Sequence, residues 1–119
     1  MDILAALGGF EIATLAGMIL GGASLRMALV IDGFISTSAF VAAHAICPLT
    51  REYAFFSHAS AEPGFKAVMD ALKASPLLQL GLRLGEGTGA AMAIFLLRCA
   101  ANIYNEMATF DTAGVHSGA

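Results

Sequence analysis

The sequence is short of charge. Only 13% of its 119 residues are charged and 58% are hydrophobic, whereas an average globular chain is about 25% charged and about 45–50% apolar. Such a composition excludes intrinsic disorder for most of the chain. Six basic residues against nine acidic ones give a net charge of −3, so we expect no nucleic-acid binding through a basic surface. A chain this apolar usually shares its surface with a membrane, a partner subunit or the rest of a larger fold.

Cysteine is scarce as well. Cys47 and Cys99 lie far apart and form no CxxC pair, which excludes a disulfide scaffold and most zinc sites. We interpret both as small apolar residues. His44 falls on a predicted helix and His116 in the C-terminal tail, so neither indicates a metal site. The sequence therefore predicts no metal site, and nothing in it indicates a cofactor.

Long uninterrupted hydrophobic runs are also missing. The longest stretch without acidic or basic side chains, residues 33–50, is near the lower limit of about 17–25 residues for a spanning helix, and it contains polar residues and Pro48. Gly17 and Gly21 have the GxxxG spacing of packed membrane helices, although close packing of a helix on a sheet is the favoured interpretation. The N-terminus lacks the basic region of a signal peptide. We expect a cytoplasmic chain without a membrane segment.

Helix and strand patterns alternate along the chain. Apolar residues recur at helical spacing over residues 9–24. Residues 27–31 are apolar throughout, which is typical of a strand buried on both faces of a parallel sheet, and residues 53–56 predict a second strand. Between the strands, Ser36 or Thr37 is expected to cap a helix. The predicted helices are about 9–24, a second ending near 46, a third from a cap at Ser60 to about 75, and about 90–108.

This alternation implies βαβ units. We predict part of a three-layer α/β/α parallel-sheet fold, Rossmann-like, rich in helices and with few strands. Two strands alone make a poor sheet, and both are apolar enough to require parallel neighbours. The pattern is that of a piece of a larger fold. Residues 1–111 are expected to form the α/β part and residues 112–119 a flexible tail.

Polar clusters follow the predicted strands, and in open parallel sheets ligands bind beyond the carboxyl ends of the strands. Asp32 follows the first strand, where its side chain is more easily explained as bonding the backbone of a turn. His58 follows the second strand, where a buried histidine bonded to backbone is favoured over a catalytic one. Ser60 is fully explained by helix capping.

The sharpest feature is the glycine loop, residues 85–89, with the sequence GEGTG. It is neither a Walker loop nor a GxGxxG fingerprint. Its three glycines let the backbone approach a ligand closely, but the Glu86 carboxylate repels phosphate. The loop suits a ligand that donates a proton, such as the N–H of a heteroaromatic ring. The alternative, that Glu86 caps the following helix, has equal weight.

Several motifs occur together in a specific order and spacing. They are GGFEIATLAG at 8–17, DGF at 32–34, SHASAE at 57–62, RLGEGTGAA at 83–91 and NEM at 105–107. This set closely resembles the C-terminal third of the nicotinate-nucleotide–dimethylbenzimidazole phosphoribosyltransferase family, which acts in assembly of the lower nucleotide loop of cobalamin. The resemblance covers nearly the whole chain, and no single motif would suffice for it.

The resemblance implies a glycosyltransferase activity: phosphoribose moves from nicotinate mononucleotide to 5,6-dimethylbenzimidazole, giving α-ribazole phosphate and nicotinate. It also implies roles for individual residues. Glu86 matches the general base and Ser60 a residue that contacts the ribosyl phosphate product. Leu84 and Gly85 match wall positions beside the base. Asp32 matches a motif position, and we expect it to bind substrate.

The family's enzyme is considerably longer, and the additional part precedes Met1. In the family that part supplies most of the parallel sheet, residues that hold the phosphate, another active-site glutamate and part of the benzimidazole pocket. We therefore expect this chain to be a fragment or subunit that works with the missing N-terminal portion, or as a homodimer. The alternative is a non-catalytic binding or interaction module that retains the inherited fold.

Overall fold

The computed structural model describes residues 2–115. His116 and the end of the predicted tail, residues 116–119, lie outside the described residues. Five α-helices and two short strands follow one another along the chain. They are α1 (Asp2–Leu7), α2 (Phe10–Ser24), β1 (Leu29–Ile31), α3 (Gly33–Ile46), a 3₁₀ helix (Pro48–Tyr53), β2 (Ala54–Phe56), α4 (Pro63–Ala71) and α5 (Thr88–Glu106). The predicted helix–strand alternation is confirmed.

The two strands pair in parallel, with Val30 opposite Phe55. Since α3 connects them, they form the βαβ unit that the apolar runs predicted. A further segment continues this pairing beyond the strand ends. The Leu77 amide donates to the Phe56 carbonyl over 2.8 Å and the Leu78 amide to the Ser57 carbonyl over 2.9 Å. The chain that leads to the glycine loop thus runs alongside the end of β2.

The core lies where α2 and α3 cover this sheet. Phe40 on α3 is fully buried and meets the Phe56 ring edge-on, with ring centroids 5.2 Å apart. Expected close contacts at Gly17 and Gly21 are wrong for the described residues, because a Cβ at either position would meet no atom within 4 Å. The close approach occurs at Gly22, where a Cβ would lie 2.6 Å from Leu29 Cδ2.

Two expected helix caps are wrong. The helix α3 begins at Gly33, whose φ of +80° lets the chain turn directly from strand to helix. Ser36 and Thr37 therefore lie inside α3, where the Thr37 hydroxyl donates to the Gly33 carbonyl over 2.7 Å. The helix α4 begins at Pro63 with Glu62 in the N-cap position. The predicted third helix thus starts later and ends earlier than expected, at Ala71.

The helix α5 carries many exposed apolar side chains. Only Gly89 and Ala93 of this helix are buried, while Phe95 and Tyr104 are 68% and 89% exposed. In the part of the chain that the structure describes, no helix combines the length and hydropathy needed to cross a bilayer.

Candidate functional site

A cavity of about 540 Å³ opens at the carboxyl ends of both strands. This is the edge at which parallel sheets bind ligands. The start of α5 and the segment before it form one wall. The residues that line the cavity are Asp32, Gly33, Phe34, Ile35, His58, Ser60, Ala61, Glu62, Leu82, Arg83, Gly85, Thr88 and Gly89.

The Asp32 side chain is hydrogen-bonded by Ser57, the residue that directly follows β2. Ser57 is fully buried, and its hydroxyl donates to the Asp32 carboxylate, while the Ile31 carbonyl lies 3.1 Å from the same hydroxyl oxygen. Asp32 occupies the N-cap position of α3 but makes no capping bond. The expectation that its side chain bonds the backbone of a turn is therefore wrong, and the carboxylate lines the cavity instead.

Gly89 brings α5 against the strand ends. A Cβ at this position would lie 2.7 Å from His58 Cβ and would also press on Asp32 Oδ1. No larger residue fits without a shift of one of these neighbours. The close approach places the N-terminus of α5 beside the Asp32 carboxylate.

His58 is a buried histidine bonded to backbone, as predicted. It is 6% exposed, and its Nε2 accepts hydrogen bonds from the amides of Leu80 and Leu82 over 3.0 and 3.3 Å. A ring nitrogen that accepts carries no proton. In this arrangement Nε2 serves as the acceptor for both amides.

The glycine loop adopts left-handed backbone at three consecutive residues. Gly85, Glu86 and Gly87 have φ of 75°, 55° and 79°. Glycine adopts this conformation freely, but a residue with a Cβ costs about 1–2 kcal/mol there. Strained non-glycine residues of this kind cluster at functional sites.

The capping alternative for Glu86 is wrong. Gly87 is the N-cap of α5, and no side chain makes a capping bond there. Within residues 2–115 the exposed Glu86 side chain makes no hydrogen bond or ion pair. Its carboxylate is free to meet a ligand.

The cavity brings together three of the five predicted site residues. Asp32, Ser60 and Gly85 line it. The Ser60 hydroxyl accepts a hydrogen bond from the Glu62 amide over 3.2 Å. Because Ser60 lies two residues before the N-cap residue Glu62, it does not cap α4 as expected. Leu84 and Glu86 adjoin Gly85 at the rim but do not line the cavity, and both are exposed.

Sequence reasoning assigned no role to two contributors to this site. Ser57, which fixes Asp32, follows β2 directly, and its place at a strand end was the available signal. Arg83 is the one basic residue in the cavity lining, beside two acidic ones. In residues 2–115 no three metal-ligating side chains come together.

Comparisons with known proteins agree with the motif set. The family described as Phosphoribosyltransferase matches residues 1–115. A nicotinate-nucleotide–dimethylbenzimidazole phosphoribosyltransferase from Solidesulfovibrio magneticus is 63% identical over 98% of this chain and 33% of the relative. One from Nitratidesulfovibrio vulgaris is 68% identical over 94% of this chain and 31% of the relative.

A solved structure supports the same assignment. The crystal structure of this phosphoribosyltransferase from Thermus thermophilus matches 98% of the chain with a TM-score of 0.90 and 45% identity, over 35% of its own length. The chain thus spans about a third of the length of the relatives it matches. It belongs to the phosphoribosyltransferase family that these enzymes represent.

Proposed function

We propose that this chain provides the C-terminal third of an enzyme that transfers phosphoribose from nicotinate mononucleotide to 5,6-dimethylbenzimidazole. The products are α-ribazole phosphate and nicotinate, in cobalamin biosynthesis. The observation that carries the proposal is Glu86, whose exposed carboxylate lies in a strained left-handed loop and has no hydrogen-bond or ion-pair partner within residues 2–115. This loop stands at the rim of a cavity at the carboxyl edge of a parallel sheet.

Glu86 acts as the general base of this reaction. One ring nitrogen of the benzimidazole attacks the anomeric carbon of the ribose and forms the new C–N bond. The bond to the pyridinium nitrogen breaks, and its electron pair stays on nicotinate as a neutral ring nitrogen. The other benzimidazole nitrogen gives its proton to the Glu86 carboxylate, so no positive charge remains on the product ring.

The remaining site residues bind and position. Ser60 lies in the cavity lining, and we expect its hydroxyl to contact the ribosyl phosphate. Gly85 and Leu84 form the wall beside the base, where a residue without a side chain lets the flat ring approach the backbone. Asp32 binds substrate from the carboxyl end of β1, at the same edge of the sheet. Since nicotinate leaves as a neutral ring and needs little acid assistance, positioning supplies much of the rate.

The site is incomplete for a phosphorylated substrate. Its lining carries two carboxylates, Asp32 and Glu62, against the single guanidinium of Arg83. Phosphate binding requires further positive charge or amide donors. We propose that the preceding portion of the enzyme supplies them and also covers the apolar side chains of α5, in an assembly that includes a second copy of the enzyme.

The same proposal places the enzyme in the cytoplasm. Nicotinate mononucleotide carries charged groups that do not enter the hydrocarbon of a membrane. Its enzyme is therefore expected in the compartment where the mononucleotide is found. Fractionation of cells that express the chain, followed by immunodetection, tests this location.

A product assay tests the activity. The purified chain, alone and together with the preceding portion of a related enzyme, is incubated with both substrates and analysed for α-ribazole phosphate. We expect product with the preceding portion, and a fall of about 10²–10⁴-fold for Glu86→Gln. The matched control is Glu52→Gln in the 3₁₀ helix, an exposed carboxylate outside every motif quoted above, which is expected to keep full turnover.

Other outcomes would contradict the proposal. Near-normal turnover of Glu86→Gln would remove the base assignment. Binding of the benzimidazole without product, even with the preceding portion, would favour a non-catalytic binding module. The exposed apolar side chains of α5 are the observation that favours this second candidate function, because such a surface can bind a partner.

A further inference from the structure

The histidine that follows β2 holds the segment that leads to the glycine loop. Beyond Leu78, only two backbone amides before the loop have a partner among the described residues. They belong to Leu80 and Leu82, and both donate to the same Nε2 atom of His58. From Leu82, the chain needs four residues to reach Glu86.

Without this acceptor the approach to the loop has no anchor. The last backbone hydrogen bonds on that side would be those of Leu78, whose amide donates to the Ser57 carbonyl and whose carbonyl accepts from the Ala59 amide. Residues 79–84 would then be tied to no other part of the described chain by their amides. A free segment of this length allows movements of several ångströms, whereas a misplacement of about 1 Å at a reacting group costs about 10²-fold in rate.

Helix α5 contacts the same histidine at its Cβ. Because Gly89 lacks a side chain, α5 packs directly against the Cβ of His58. The histidine is therefore held between the start of α5 and the segment before the loop. The segment before Glu86 and the helix after it therefore both contact the buried His58.

We propose that His58 is a positioning residue for Glu86, acting through its unprotonated Nε2. This inference rests on the proposed function, because positioning matters only if Glu86 is the general base. The anchor itself is a property of this chain. It requires the neutral imidazole. A protonated Nε2 would itself be a hydrogen-bond donor and could not accept from the two amides.

The tautomer of His58 is the first test. In the ¹⁵N-labelled chain, two-bond ¹H–¹⁵N correlation spectra distinguish a ring nitrogen that carries a proton from one that does not. We expect His58 to carry its proton on Nδ1 alone. A proton on Nε2 at neutral pH would overturn the proposal, and no substitution is needed for this measurement.

Amide exchange and two variants provide the second test. His58→Gln places an amide oxygen near the Nε2 position, while His58→Leu removes the acceptor. We expect exchange at Leu80 and Leu82 to accelerate at least tenfold in His58→Leu and to return towards wild type in His58→Gln. Equal protection in all three proteins would refute the anchor.

The pH dependence separates the anchor from general packing. Asp32, Glu62 and Arg83 share the cavity with His58, so their ionisation affects both the wild type and His58→Gln. Acidification should release the Leu80 and Leu82 amides at a higher pH in the wild type than in His58→Gln, because a glutamine oxygen accepts at any pH. Coincident profiles would contradict the role of Nε2.

Turnover tests the positioning role. In the enzyme completed with its preceding portion, we expect His58→Leu to lower kcat by about tenfold or more with little change in KM, and His58→Gln to recover most of it. A change in KM alone would contradict positioning of the base. If no protein gives product while the exchange results hold, the proposed function fails and the anchor stands.

Discussion

The Ser57 hydroxyl donates to the Asp32 carboxylate, and these residues stand directly after the two paired strands. Ser57 is fully buried. The bond ties the carboxyl ends of β1 and β2 together through their side chains, beside the backbone bond from the Ser57 amide to the Ile31 carbonyl. It also fixes where negative charge lies in the cavity.

Ser57→Ala should therefore destabilise the chain. Removal of a buried hydroxyl that bonds a carboxylate costs about 1.5–3 kcal/mol. The measurement is the free energy of unfolding from urea titration. Ser24→Ala is the control, since its exposed hydroxyl bonds only the Gly21 carbonyl of its own helix, and a change within about 0.5 kcal/mol is expected. Equal effects of both substitutions would contradict a special role for the strand-end bond.

Gly89→Ala should lower stability although alanine favours helices. Its Cβ would meet His58 Cβ at 2.7 Å and press on Asp32 Oδ1, and overpacking of this kind costs about 1–3 kcal/mol. Gly17→Ala in α2 is the matched control, because no atom lies within 4 Å of its Cβ. It should gain about 0.5–1 kcal/mol from helix propensity alone. Thermal unfolding of both variants checks the opposite signs, and a stabilised Gly89→Ala would show that α5 does not pack as described.

The sequence patterns predicted the βαβ unit because its causes are local. Residues 27–31 and 53–56 are apolar throughout, and the strands lie within these ranges as Leu29–Ile31 and Ala54–Phe56. The end of α3 before Pro48 also follows from a local rule, since the residue that precedes a proline avoids helical geometry.

The starts of α3 and α4 were not predictable from capping residues alone. A positive φ at Gly33 allows an abrupt turn that makes a hydroxyl cap unnecessary. The site was predictable as a set of strand-end residues, but its connections were not. The bond from the Ser57 hydroxyl to Asp32 joins residues 25 positions apart, and the bond from the Leu82 amide to His58 joins residues 24 positions apart. Such pairs depend on tertiary packing, which no local spacing encodes.

The exposed side chains of α5 predict that this chain alone self-associates. Association removes exposed apolar side chains of this kind from water. Sedimentation velocity should show a concentration-dependent increase in mass. The double variant Phe95→Glu, Tyr104→Glu should remain monomeric, because both side chains are largely exposed. The double variant Ala67→Glu, Ala71→Glu on α4 adds the same charge and should associate like the wild type. If both double variants reduced the sedimenting mass equally, an interface through α5 would be excluded.

Glu86→Gly should separate stability from activity. The left-handed φ of 55° at Glu86 favours glycine, so the free energy of unfolding is expected to be unchanged or to rise by up to about 1 kcal/mol after the greater unfolded-state entropy of glycine is subtracted. Arg26 has a matching φ of 56° just after α2, where helices prefer glycine. Arg26→Gly should gain similar stability and keep full turnover in the completed enzyme, whereas Glu86→Gly should lose at least about 10²-fold. Full turnover in both variants would contradict a catalytic role for Glu86. A strong loss of stability in Glu86→Gly would instead indicate that Glu86 stabilises the loop conformation.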